Sequence, residues 1–304
     1  MLLDIIIIGG GPAAMTAALY SLRAGKSVLV IEKSAFGGQI ADSPKVENFP
    51  TQKSISGLKF SDAMFEQISD LGVEFELNEI VAIDKVGDHF IVKGSDNAVY
   101  EGRSIIIATG CEHRKLGIEG EDKYLGKGVS YCAVCDGAFY AGKNVMVIGD
   151  ANTALQYAIN LAGICNHVDV VTLFDKFFAD NILVKTLKSL QNVDIFHEYS
   201  SLEFKGNGKE LTSVLFQNTK TEEKREWKVD AAFVAIGQVP SNEVFRPWVN
   251  LNKGFIVTDD MMATKTEGIF AAGDCRDKKV RQLTTACSDG AIASLSAANY
   301  LNSH

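Results

Sequence analysis

The chain has 304 residues, 46% hydrophobic and 22% charged, which fits two globular domains with ordinary cores and excludes a disordered chain. A net charge of −8 lacks the basic footprint of general nucleic-acid binding, so no nucleic-acid partner is expected. No apolar run approaches the ~20 residues of a membrane-spanning helix and no secretory signal is visible, so no membrane partner is expected and a cytoplasmic location is the default.

In chain order, a strand is predicted over residues 4–8, running into Gly9-Gly10-Gly11-Pro12-Ala13-Ala14. A helix over 12–24 and a strand over 27–31, ending in Glu32, complete a βαβ unit. Its glycines let a ligand approach the backbone, so the amides opening the helix can bind a pyrophosphate. Glu32 is placed to accept from ribose hydroxyls. A helix is predicted over 56–71, then short alternating strands to residue 100, then an apolar strand over 104–108 ending in Thr109-Gly110.

A second βαβ unit opens with a strand from Lys143 to Gly149, a helix over 152–163 and a strand over 168–174. Polar strands are expected from there to residue 228, then a strand over 231–235 ending in Ile236-Gly237. The chain closes with Gly273-Asp274 and a helix over 281–301. The halves echo one another, which points to an internal duplication. Because Gly273-Asp274 looks like a flavin contact belonging to the first half, one domain is read as inserted in the other. The expected fold class is α/β, with two Rossmann-like dinucleotide-binding domains of the three-layer ββα type. The first spans 1–112 and 242–304; the inserted one spans 113–241.

Six cysteines are present, and only Cys132 and Cys135 have a spacing that carries chemistry. C-x-x-C can be a dithiol redox couple, half a metal site or a coincidence. No second C-x-x-C or H-x-x-H exists, so the redox reading is favoured and no metal is expected. Asp136, next to Cys135, suits an acid–base group for thiolate formation and reprotonation; an exposed turn aspartate is the bland alternative. Gly37-Gly38-Gln39 and Val46-Glu47-Asn48-Phe49-Pro50 read alone as loops. Coming after a flavin-type βαβ unit, they read as flavin-facing.

Over essentially its whole length the chain resembles the low-molecular-weight thioredoxin reductases. The resemblance rests on Gly9-x-Gly11-x-x-Ala14, Gly37-Gly38-Gln39, residues 46–50, Ala108-Thr109-Gly110, Cys132-Ala-Val-Cys135-Asp136-Gly137, Gly273-Asp274 and residues 281–286. It implies FAD in the first domain and a mobile second domain carrying the cysteines. Cys135 would face the flavin, Cys132 would attack the disulfide of thioredoxin, and Asp136 would relay protons. The cofactor-binding residues would be Gly9, Gly11, Pro12, Ala13, Ala14, Glu32, Lys33, Gly37, Gly38, Gln39, Asn48, Thr109, Gly110, Gly273, Asp274, Arg281, Gln282 and Leu283. A homodimer is also implied.

The second glycine turn departs from the family. It reads Gly149-Asp150-Ala151-Asn152-Thr153-Ala154, with a methyl where a pyrophosphate needs close approach and a carboxylate inside the turn. Family members that use NADPH carry a His-Arg-Arg cluster after the next strand; here the stretch is Asp175-Lys176-Phe177-Phe178. Losing one charge-assisted contact costs roughly 1.5–3 kcal/mol. Asp175 at the strand end keeps an NADH alternative open. With the nucleotide lost, the chain resembles the ferredoxin-dependent flavin thioredoxin reductases, and reduced ferredoxin is the expected donor. Three alternatives stay open: an NADH- or NADPH-dependent thioredoxin reductase, a flavin dithiol oxidase using oxygen, and a non-enzymatic flavin redox sensor.

Overall fold

The structure is a computed structural model that describes residues 2–43 and 45–303. Its chain forms two compact units, one running to Glu112 and resuming at Val239, the other spanning His113–Gln238. The sequence reading had placed the return crossing between residues 241 and 242.

In the first unit the strand Leu2–Ile8 pairs in parallel with Val28–Glu32 on one side and Val99–Ile107 on the other. Glu74–Leu77 extends one edge, the hairpin strands Ile80–Val86 and His89–Gly94 extend the other, and Ile269–Ala271 also pairs with Val99–Ile107. The run Ile5–Ile8 is uninterrupted because both sheet faces are covered. Ile5 and Ile7 pack in the core built with the opening helix Pro12–Arg23 and the closing helix Leu283–Ser303. Ile6 and Ile8 enter the opposite core with Phe90, Phe245 and Ile256. Gly290 lets the two helices meet: a Cβ there would lie 2.2 Å from Ala13 O.

In the second unit a five-stranded parallel sheet runs in the order Val193–Phe196, His167–Val171, Asn144–Ile148, Ala231–Val234, Val129–Ser130. Alternation decides its two faces. Val145 and Val147 pack toward the helices Asn152–Ala162 and Asn181–Lys188. Met146 and Ile148 pack toward the antiparallel strands Tyr199–Gly206, Leu211–Asn218 and Lys224–Lys228, where Phe204, Phe216 and Trp227 fill the core. These are the helical, parallel and antiparallel layers of a Rossmann-like α/β domain of the ββα type.

Two expectations along this stretch are corrected. The strand over 168–174 ends at Val171, because Thr172 Oγ1 donates to Phe174 O at 2.7 Å and turns the chain. Residues 181–188 form a helix instead of polar strand. Ile182, Leu183 and Val184 suggest a strand by type, but Leu183, Val184 and Leu187 pack at helical spacing against the core.

Candidate active site

The first unit gathers most of the residues expected to hold a flavin nucleotide. Gly9 has φ +118°, and a Cβ there would lie 2.3 Å from Ala108 O, so glycine is required where the strand meets its neighbour. Gly11 precedes the opening helix in extended conformation, and Pro12 occupies the first helical turn, where no amide is needed. Ala13 and Ala14 are buried beneath. No side chain caps this helix and no acid lies in its first turn, so its amides and dipole face outward for an anion.

Gly38 packs beside Gly11, with a would-be Cβ 3.2 Å from Gly11 Cα. Gly37, at φ +117°, sits against Ser61. Gln39 Nε2 donates to Cys111 O, and Asn48 Nδ2 donates to Gln282 Oε1 at 3.2 Å. Glu32 is buried at its strand end, where Oε1 accepts from Ser34 N at 3.0 Å. Lys33 instead reaches Glu112 at 2.9 Å in an exposed pair, and Thr109 Oγ1 donates to Asn242 Oδ1 at 3.1 Å. Gly110, at φ +66°, ends that segment.

On the return segment, Gly273 N donates to Asp289 Oδ2 at 3.1 Å, and Arg281 Nε donates to Asp274 O at 3.2 Å. The Arg281 guanidinium lies 4.1 Å from the Phe255 ring centroid. Gln282 precedes Leu283, the first residue of the closing helix. Asp274 Oδ1 is buried and makes no hydrogen bond; Lys278 Nζ approaches it to 3.4 Å as an ion pair. Burial pushes the Asp274 carboxyl up, against the opposing pull of Lys278 and Arg281.

The second unit brings Cys132, Cys135 and Asp136 together on one short helical turn, Ala133–Asp136. The cysteines are joined in a disulfide with Cα atoms 5.3 Å apart. Cys132 Sγ accepts from Cys135 N at 3.2 Å. Asp136 Oδ2 accepts from Ser130 Oγ at 2.7 Å, and the same Oγ accepts from Cys132 N at 3.0 Å. Asp136 Oδ1 is buried without a partner, and burial raises the carboxyl above its ordinary range, with the Ser130 bond opposing. Tyr131 is tethered by its hydroxyl to the buried Glu121, which also accepts from the amides of Leu116 and Gly117. Among the described residues one cluster of three metal-ligating side chains occurs, His167, Asp169 and Asp194, and it contains neither cysteine.

The second glycine turn keeps its first glycine: a Cβ at Gly149 would lie 2.4 Å from Ala235 O, matching Gly9 against Ala108. Beyond it the chain folds over its own turn. Phe178 N donates to Asp150 O at 2.8 Å, and Ala151 and Phe178 form a bridge. Asn152 and Asp180 exchange two hydrogen bonds. Leu173, Phe174 and Phe178 are exposed, and Lys176 lies 5.5 Å from the Phe178 ring centroid.

The sequence reading missed Ser130, Glu121 and the buried ion group of Arg276, Lys278 and Asp289. The one available signal was Asp289, an acid on the apolar stripe of the closing helix.

Comparison with known proteins agrees with this geometry. The family model described as pyridine nucleotide-disulphide oxidoreductase matches residues 3–290. The "34.2 kDa protein in rubredoxin operon" of Clostridium pasteurianum is 40% identical over 98% of this chain and 97% of its own. The thioredoxin reductase of Bacillus subtilis is 40% identical over 98% of this chain and 94% of its own. The crystal structure of thioredoxin reductase from Streptococcus pyogenes superposes with a TM-score of 0.95 at 38% identity, covering 100% and 99% of the two chains. Thioredoxin reductases of this family are FAD-dependent flavoproteins, and the first unit fits that group. Its glycine pair at 11 and 38 leaves room over an uncapped helix start, and Asp274 presents a buried oxygen without a hydrogen-bond partner. With its Rossmann-like units and its paired cysteines, the chain belongs to the pyridine nucleotide-disulphide oxidoreductase family.

Proposed function

We propose that this protein is a flavin-dependent thioredoxin-disulfide reductase, passing electrons from FAD through Cys132 and Cys135 to thioredoxin, with reduced ferredoxin rather than NADPH as donor. The observation that carries the reductase reading is the Cys132–Cys135 disulfide beside a buried carboxyl, on a chain 40% identical to a thioredoxin reductase over nearly its whole length.

The glycine turns, Glu32, Asp274 and their neighbours in the first unit would hold FAD, which when bound would supply the electron pair for opening the Cys132–Cys135 disulfide. The remaining steps use this chain's own groups. Asp136 takes the Cys132 proton, and the Cys135 amide already aimed at Cys132 Sγ favours the thiolate. The thiolate attacks one sulfur of the thioredoxin disulfide, forming a mixed disulfide and expelling the other sulfur, which takes up the proton. The second thiol proton leaves Cys135, whose thiolate attacks Cys132 Sγ. The protein disulfide re-forms, and the second thioredoxin sulfur departs and is protonated. Two electrons and two protons pass to thioredoxin.

The donor reading is supported by the second turn. Ala151 stands at the second glycine of the pattern, and Asp150 puts a carboxylate inside the turn. Asp180 brings another to the start of the helix Asn152–Ala162, and Phe177 and Phe178 fill the stretch where a cation cluster would hold a phosphate, leaving Lys176 alone. A nicotinamide nucleotide is the second reading, favoured by the family to which the chain belongs. Anaerobic titration of the flavin-loaded protein with NADPH, NADH and a small dithiol separates the two. Bleaching by the dithiol alone supports ferredoxin; stoichiometric bleaching by either nucleotide overturns it. Rapid reoxidation by air with dithiol turnover would point instead to the oxidase. The homodimer rests on the family resemblance and is checked by sedimentation.

A further inference from the structure

We infer that Ser130 is a positioning residue for the Asp136 proton relay, its hydroxyl fixing one carboxyl oxygen so that the other, Oδ1, carries the proton. The inference rests on the reading of Asp136 given above.

Ser130 ends the short parallel strand Val129–Ser130, paired with Phe233, and is almost wholly buried. Alanine would pack there equally well, so a buried hydroxyl needs polar partners. Its two good partners both belong to the redox turn. The single hydroxyl proton goes to Asp136 Oδ2 at 2.7 Å, since the alternative acceptor, Cys132 O, is 3.5 Å away. The lone pair receives the Cys132 amide at 3.0 Å. One atom thus ties the backbone of the attacking cysteine to the relay carboxyl.

With Oδ2 engaged as an acceptor, a proton arriving at Asp136 goes to Oδ1, the buried oxygen without a partner. Among the described residues, the titratable side chains that feel the Asp136 charge are Tyr140, from the following 3-10 turn, and Tyr157, from the helix Asn152–Ala162. Both phenols are held neutral: burial raises each, and the nearby Asp136 charge raises it further. Among the described residues, Ser130 is the one side chain that donates a hydrogen bond to this carboxylate.

The test is the pH dependence of thiol–disulfide exchange. Dithiol-reduced, flavin-loaded protein is mixed with oxidised thioredoxin from about pH 5 to 9, and the acid limb of the rate profile is read. Removing the donor makes the carboxylate harder to ionise. Ser130→Ala is expected to move the acid limb to higher pH while the alkaline plateau stays within about threefold, and Ser130→Thr to restore it. Ser130→Cys, a near-isosteric weak donor, should fall between and serves if the alanine variant does not fold. Asp136→Asn should erase the limb, and adding Ser130→Ala to it should shift nothing further. If Asp136→Asn erases the limb but Ser130→Ala and Ser130→Cys leave it in place, the role of Ser130 is overturned and that of Asp136 stands. If Asp136→Asn leaves the limb unchanged, the relay reading itself fails.

Discussion

Asn152 and Asp180 hold one another by a reciprocal pair: Asn152 Nδ2 donates to Asp180 Oδ2 at 3.0 Å, and Asp180 N donates to Asn152 Oδ1 at 2.8 Å. The pair sets a carboxylate at the first turn of the helix Asn152–Ala162. The opening helix of the first unit, also uncapped by any side chain, has no such charge in its first turn. The same supersecondary element starts free of acidic side chains in one unit and has the chain's own aspartate, bonded to Asn152, beside it in the other.

On the proposed donor reading, restoring glycine alone should not bring in nucleotide use. Ala151→Gly removes the methyl but leaves Asp180 and a single cation, Lys176, where the family's NADPH users carry a cluster. Neither NADPH nor NADH is expected to bleach the flavin of this variant in an anaerobic titration. Bleaching at stoichiometric nucleotide would show that the methyl was the whole obstacle.

The two cysteines should separate by product. On the proposed assignment Cys135→Ser keeps the attacking thiol and removes the resolving one, so it should accumulate a mixed disulfide with thioredoxin, visible on a non-reducing gel. Cys132→Ser should form none. Both should lose steady-state disulfide reduction by about a thousandfold or more, because exchange needs both sulfurs. Trapping through Cys135 in the Cys132→Ser protein would reverse the assignment.

Asp136 makes stability depend on pH in a definite direction. Burial raises its folded-state carboxyl above the unfolded value of 3.8. The folded state therefore keeps its proton to higher pH than the unfolded state. Stability associated with this group is full below the unfolded value and is lost as pH rises through the folded one. Asp136→Asn removes that loss. The variant should melt with the wild type near about pH 3.5 and above it near about pH 7.5. A variant that melts lower at neutral pH would contradict this sign.

Asp289 is the anion of a buried cluster, 2.9 Å from Arg276 Nη1 and 3.0 Å from Lys278 Nζ. Asp289→Asn keeps the shape and leaves two buried cations with one fewer partner. Removing one member of such a group destabilises by about 3–5 kcal/mol. Because Asp289 also holds Gly273 N, flavin retention on gel filtration should fall with the melting temperature. Unchanged melting and flavin content would mean that water compensates the cations.

Gly9→Ala should be more severe than its size suggests, since its Cβ would meet a backbone carbonyl that cannot turn aside. Apo, largely insoluble protein is expected; a yellow, folded product would mean the strand end can shift.

Residues 9–14 and Cys132-x-x-Cys135 were legible in the sequence because their chemistry is local. A glycine turn joins adjacent elements, and three residues of separation bring two sulfurs within bonding reach. Alternation and apolar runs likewise gave the α/β class and the Rossmann-like units. The helix Asn181–Lys188 was misread because its β-branched residues suit either structure, and only packing against Leu155 and Leu161 in the same core selects one. Pairings such as Ser130 with Asp136, Asp289 with Arg276, and Asp180 with Asn152 were invisible for a different reason. A polar side chain's partner is set by burial and by where the fold brings distant backbone, so only the tertiary structure could decide which charges meet.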